Sequence, residues 1–400
     1  MALVILLLLA ANAFAAESDA LAISARIQST HMPFGIVVDP IFASPDSDQV
    51  IGYTRCGDSA LWSGFNLAAE SFRYFVSRSD DSLSNIRTGL TGIQGLVEVT
   101  GSNLLARCAV PADSPYAAGI VSEEENNGVY FGFIANRLYY WIGNTSRDQY
   151  SGVFFGLSVA HDFVDDPDVK QASSALISQL LQELLRRDWI LIFPNLDINT
   201  FQLRPDQQLA FLEIGRSVDP DRFGQKYVLT AVAKRSSVII PIAYDCIDQH
   251  SAYYKFNLNT INLYSLIRLE TDPVNLAYYW PAYDLEWGIL SNHGNAHFNM
   301  IDRALKTADP TRDSLTVTFL QEWLTRPRRD YWVDLNGLFP ACGTNRSCDV
   351  IPVPQRVNSD FLWQRSPFQL SGGGIGLIET AAIDYILPYW MARYYEVPVD

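Results

Sequence analysis

Charge is scarce in this chain. Of its 400 residues only 18% are Asp, Glu, Lys or Arg, and the basic share is the smaller, 29 Lys and Arg against 44 Asp and Glu. The resulting formal net charge of -15 repels phosphate backbones, which argues against nucleic acid as a partner. The acidic excess is spread along the chain with no acidic tail, so its plain meaning is solubility. Motifs are missing as well. The five cysteines contain no Cys-x-x-Cys pair, which speaks against zinc ribbons and dithiol redox centres. There is no His-Glu-x-x-His, no Gly-x-Ser-x-Gly elbow and no phosphate-binding Gly-x-x-x-x-Gly-Lys-Ser/Thr loop. The expectation is a protein without metal or cofactor. Beyond the N-terminus no apolar run reaches the roughly 18 residues that a membrane helix needs, so no membrane span is expected in the mature chain.

What is present begins with hydrophobic residues at 48% of the chain, enough for a large core and too many for disorder. Ala2 to Ala11 is an apolar run of signal-peptide length, followed by the small residues of Ala13-Phe14-Ala15 and by polar Glu17. No Lys or Arg precedes it, yet the pattern reads as a signal peptide over 1–16 and an exported protein, periplasmic or secreted. In an oxidising compartment Cys342 and Cys348, which flank a short polar loop, are expected to form a disulfide. Cys56 with Cys108 is a weaker candidate pair, and Cys246 is left as a buried thiol.

A repeat organises the rest. Asp166-Pro167, Asp219-Pro220, Asp272-Pro273 and Asp309-Pro310 each stand between two runs of helical periodicity, and Asp80-Asp81 holds the equivalent place in the first pair. Asp caps a helix N-terminus, and Pro at the first helical position gives up only an N–H that has no partner there. Each such point therefore reads as a tight turn that starts a second helix. The turns at 166, 219 and 272 recur every 53 residues, a length that suits two helices and their loops. The fold class that follows is all-α: an α/α toroid of repeated helical hairpins in a single domain over 17–400. A small β-hairpin insertion is expected within Tyr130–Trp141, a long irregular loop over Tyr331–Ser371, and a last helix over Gly376–Tyr395 with Pro388 as a kink.

If the turns lie at one end, the first helix of every hairpin starts at the other end, and those starts share one mouth. Residues suited to chemistry gather at these positions. Asp58 and Asp148 each precede or open a helix; as a pair across a sugar-sized cleft they could serve as acid and base, and as single residues they could merely cap. Arg55, Arg147 and Arg365 could orient an anionic or polar substrate. Trp62, Trp141 and Trp363 could stack on sugar rings, and Tyr150 is a further substrate-binding candidate. Asn292, His293, Asn295 and His297 form the densest polar cluster, with His293 as a proton-transfer partner. Glu379 is a further candidate on the expected last helix.

The stretches Gly57–Gly64, Trp141–Gly152 and Asp384–Trp390 resemble those of uncharacterised secreted bacterial proteins with an expected α/α-toroid (six-hairpin) fold, over most of residues 50 to 395. That architecture is similar to unsaturated glucuronyl hydrolases and heparinase-type lyases. The resemblance implies the toroid, and through fold analogy alone it implies glycan chemistry. The expected function is an exported carbohydrate-active enzyme that cleaves glycosidic bonds of an oligo- or polysaccharide, a glycoside hydrolase ahead of a polysaccharide lyase. The alternative is a non-catalytic exported module that binds glycan or protein.

Overall fold

A computed structural model describes residues 17–345 and 348–399; the signal-peptide reading falls on residues outside that range. The described chain is mostly helical, with three small sheets. Helix α1 (Glu17–Arg26) precedes the first hairpin, α2 (Ser59–Ser77) and α3 (Asp80–Glu98). Short α4 (Ala117–Glu123) lies before the second, α5 (Arg147–Phe163) and α6 (Pro167–Arg186). The third is α7 (Pro205–Val218) and α8 (Pro220–Lys234), trailed by short α9 (Ile239–Asp245). The fourth is α10 (Tyr254–Leu269) with α11 (Pro273–Leu290), and the fifth α12 (Ala296–Leu305) with α13 (Pro310–Trp323). After α14 (Pro340–Asn345) comes α15 (Ile383–Tyr394).

The turn chemistry explains where the second helices begin. Asp166 accepts from Val169 N at 3.0 Å, Asp219 from Arg222 N at 3.1 Å, Asp272 from Val274 N at 2.9 Å and Asp309 from Thr311 N at 2.8 Å, each with Pro next in the chain. Each cap satisfies an N–H that the helix cannot pair internally. In the first hairpin the cap is Ser79, which accepts from Ser82 N at 3.1 Å, so Asp80 is the first helical residue rather than the cap.

First and second helices of the hairpins differ in burial. Gln149 to Ala160 of α5 and Phe256 to Ile267 of α10 are buried without a break, as are Ile383 to Ala392 of α15. Helices α3, α6 and α8 bury only a stripe. The difference follows from position, since a helix buried all round must be surrounded by other elements. Indeed α2 packs on α5, α5 on α7, α7 on α10, α10 on α12, α12 on α15 and α15 on α2, while α3, α6, α8, α11, α13 and α1 pack behind their partners. The α2–α5 crossing is the tightest. A Cβ at Gly64 would lie 2.0 Å from Gly152 O, and one at Gly156 2.1 Å from Gly64 O, so only glycine lets these backbones meet.

Three strands form the expected insertion and one more: β3 (Cys108–Pro111) joins the hairpin of β4 (Val129–Ile134) and β5 (Arg137–Ile142) in the order β3-β5-β4. A four-stranded sheet goes beyond the sequence reading. It runs β2 (Val50–Thr54), β1 (Asp39–Phe42), β9 (Ser371–Glu379), β8 (Arg329–Asp334), and a small pair links β6 (Ile190–Ile192) to β7 (Ile198–Thr200). Here the expected last helix is corrected. Residues 376–379 belong to strand β9, and the helix starts only at Ile383. The glycines decide this. Gly373 and Gly376 adopt φ of 108° and 81°, and a Cβ at Gly373 would meet Tyr331 O at 2.1 Å. Glycine here lets β9 lie against β8. Likewise, the segment expected to be irregular opens on β8 and carries α14. Cys342 and Cys348 are disulfide-bonded. Among the described residues no helix is long and apolar enough to cross a membrane.

Candidate functional site

Hairpin starts do meet. A cavity of about 240 Å³ is walled by Asp58 and Leu61 from the start of α2, Asp148 from α5, Tyr254 and Leu258 from α10, and Asp360, Gln364 and Arg365 from the loop before β9. A second cavity of about 510 Å³ shares Asp148, Tyr254 and Leu258, and adds Arg147, Arg204 and Lys255. Residues distant in sequence thus line one cleft with Asp148 at its junction.

Asp58 holds the N-cap position of α2, yet its side chain caps nothing. Other groups take over that task. Ala60 N donates to Arg107 O at 2.9 Å, and Leu61 N donates to Gln149 Oε1 at 3.0 Å. The other end of the same amide, Gln149 Nε2, donates to Asp58 Oδ1 at 3.0 Å. Gln149, itself fully buried, therefore relieves Asp58 of capping and holds its carboxylate at the cavity wall.

Asp148 is the second residue of α5, in its first turn and two residues past the N-cap Ser146, and has no hydrogen bond or ion pair among the described residues. Burial pushes its carboxyl up to about 6, and the negative charge of Asp58 adds to the rise, against the pull of Arg147, Arg107 and Arg204. Such an acid keeps its proton well above the usual carboxylate range. Asp360 is raised further, to about 7, by burial and by Asp58, although Arg55 and Arg365 oppose it. Phe361 N donates to Asp360 Oδ1 at 2.8 Å, and Arg365 Nη2 stands 3.4 Å from Oδ2. Asp360 was not singled out in sequence, where it reads as one acid in a polar loop; its only signal is its place five residues before Arg365. Gln149 and Tyr254 were missed too, one being a buried amide and the other an ordinary helix-start tyrosine.

Of the other residues expected at the mouth, Arg365 and Arg147 line the cleft, one in each cavity. Arg55, held by Asp39 at 2.9 Å, acts on Asp360 through its charge. The tryptophans are corrected. Trp62, Trp141 and Trp363 are 5%, 3% and 0% exposed and line neither cavity, so no sugar can stack on them. Trp62 packs edge-on to Phe361 and Trp363 lies against His297, both with ring centroids 4.5 Å apart. Tyr150 is buried and its hydroxyl accepts from Leu105 N at 3.1 Å, which makes it a strut. Tyr254, 40% exposed, is the open aromatic shared by both cavities, and Tyr244, 70% exposed, lines the second one.

The histidine cluster also lies outside the cleft walls. His293 is buried against Tyr253, whose hydroxyl is 2.9 Å from Nδ1, and burial with the charge of Arg356 lowers it to about 4. His297 is fully buried at 3.0 Å from Asn257 Oδ1, and burial lowers it to about 3. Asn295 caps α12 through His297 N at 3.1 Å and donates to Leu362 O at 3.1 Å. Asn292 is exposed on the turn before α12. Glu379 sits in β9, not on a helix. Burial works against its charge, but hydrogen bonds from Arg26 at 2.8 Å and Arg328 at 3.0 Å, with His31 Nε2 3.5 Å away, hold its carboxyl low. It is the centre of a buried ion network. Among the described residues no group of three or more His, Cys, Asp or Glu is placed to hold a metal ion.

No protein family, no curated protein and no solved structure matches this chain.

Proposed function

We propose that this chain is an exported α/α toroid and a carbohydrate-active enzyme that cleaves glycosidic bonds by hydrolysis. The observation that supports it most is the sharing of one cavity wall by Asp58 and Asp148, with the second of them raised to about 6. Glycoside hydrolysis needs an acid that is still protonated near neutrality beside a carboxylate that is not. Asp148 takes the first role and gives its proton to the leaving-group oxygen. Asp58, anchored by Gln149 at 3.0 Å, takes the second as base or nucleophile. Asp360 and Arg365 hold polar groups of the sugar, and Tyr254 offers a ring face between the two cavities. The succession of α2, α5, α7, α10, α12 and α15, returning to α2, supports a toroid with the cleft at its mouth. The same geometry favours hydrolysis over β-elimination, because His293, the base the lyase reading needs, is buried away from the cleft walls.

The test is incubation of the purified protein with a panel of neutral and uronic polysaccharides. New reducing ends, lost on Asp148→Asn, are expected. A 4,5-unsaturated product would move the chemistry to a lyase, and binding without any cleavage would leave only a glycan-binding module.

A further inference from the structure

The turn that presents Asp58 begins at Cys56, and Cys56 Sγ lies 2.6 Å from Cys108 Sγ. Cys108 is the first residue of β3, and both side chains are 0% exposed. Non-bonded sulfur atoms do not approach so closely, whereas a closure of about half an ångström reaches the S–S bond length of about 2.05 Å. The surroundings argue against any other use of these thiols. Glu124 accepts from Gly57 N at 2.6 Å and Glu123 from Arg55 N at 3.3 Å, so two carboxylates crowd the turn. Burial, the contact with Cys108 and those charges all push the Cys56 thiol up, which suppresses the thiolate that a nucleophile or metal ligand requires. A disulfide carries no charge and suits such a place. The chain also holds the Cys342–Cys348 bond, as proteins of oxidising compartments do.

We propose that Cys56 and Cys108 form a second structural disulfide, made while the chain folds, that pins the Asp58 turn to β3. The bond would close a loop of 52 residues that contains all of α2 and α3, and so constrains the unfolded chain. It would also reinforce the contacts by which residue 107 grips this turn, Arg107 Nη1 to Gly57 O at 2.7 Å and Arg107 O from Ala60 N at 2.9 Å. The oxidant is a small-molecule disulfide such as oxidised glutathione. One cysteine thiolate attacks it to give a mixed disulfide and one glutathione thiolate. The second cysteine thiolate then attacks the cysteine sulfur of that mixed bond and expels the other glutathione. Two electrons pass to the oxidant, and the two thiol protons end on the glutathione thiols. Because both sulfurs are buried in the folded chain, this exchange precedes docking of the turn on β3, and reductant added to the folded protein does not reverse it.

The experiment needs no knowledge of the substrate, so it stands or falls apart from the glycan reading. Protein refolded in a glutathione redox buffer is unfolded in guanidinium with iodoacetamide and no reductant, then weighed intact and peptide-mapped. The expected result is alkylation of Cys246 alone, with cross-linked peptides joining Cys56 to Cys108 and Cys342 to Cys348. Alkylation of Cys56, Cys108 and Cys246 beside an intact Cys342–Cys348 link overturns the proposal. A second arm compares Cys56→Ala, Cys108→Ala and the double variant by thermal melting. A disulfide predicts nearly equal drops of roughly 5 °C for all three that shrink against wild type refolded in dithiothreitol. Additive drops that dithiothreitol leaves unchanged would reduce the pair to packed thiols.

Discussion

Gln149 and Asp58 are joined across two helices by one hydrogen bond, Gln149 Nε2 to Asp58 Oδ1 at 3.0 Å. The other end of the same amide accepts from Leu61 N. One buried side chain thus completes the start of α2 and aims the carboxylate that α2 would otherwise use as its own cap. Stability and chemistry are separated at this point, and variants can tell them apart.

In Asp58→Asn the amide oxygen still accepts from Gln149. The urea midpoint should therefore correspond to a stability within about 0.5 kcal/mol of wild type, while turnover of the substrate found in the polysaccharide panel falls at least about 100-fold. Gln149→Ala should behave in the opposite sense for stability and lose about 1–3 kcal/mol, because it leaves a buried helix-start N–H unpaired. Equal destabilisation in the two variants would mean that Asp58 is a structural residue.

The pH dependence carries a definite sign. With Asp148 as the protonated acid raised to about 6, kcat/KM should decline as pH rises through that value. Asp58 contributes to the elevation through its charge, so in Asp58→Asn the Asp148 carboxyl, followed by NMR titration, should move down. An unchanged or raised value would show that the two carboxylates do not sense each other.

The same shift has a stability consequence. A carboxyl whose folded-state pKa exceeds its unfolded value of about 3.9 favours folding most below that value. Its contribution is lost as pH climbs to about 6. Asp148→Asn should therefore be more stable than wild type at pH 8, by ~1–2 kcal/mol once partial solvent exposure is allowed for. The gain should vanish near pH 4, as read from urea midpoints at the two pH values. A variant less stable at pH 8 would contradict the burial that raises this acid.

At the α2–α5 crossing, Gly64→Ala would drive a methyl group to 2.0 Å from Gly152 O. Helix backbones cannot yield there without separating, so a loss of roughly 3 kcal/mol or more is expected. Gly119→Ala, in α4 with nothing within 4 Å of the new methyl, should instead be neutral or stabilising by up to about 1 kcal/mol. Thermal melts of the two variants make the comparison, and similar Tm values would refute the close approach.

The hairpin frame was legible because its signals are local. An Asp that caps and a Pro at the next position act within one turn of helix, and at 166, 219, 272 and 309 both do what their chemistry dictates. Asp58 and Asp148 could be picked out on the same ground, as acids at helix starts. The four-stranded sheet was hidden, since its strands are short and β1 pairs with β9 across more than 300 residues, Ile41 against Ile378. Gly373 and Gly376, just before and at the expected start of the last helix, are the means by which β9 lies on β8.

By itself, then, the order of residues determined the succession of paired helices and which acids stand at helix starts, because capping, backbone φ limits and apolar periodicity operate over a few residues. Tertiary structure alone decided which of the candidate side chains stay open to the cleft. It buried Trp62, Trp141, Trp363 and His293, released Asp58 from capping through Gln149, and brought in Asp360 from a loop. Burial and charge environment depend on what packs against a residue from elsewhere in the chain, and no short stretch of sequence contains that information.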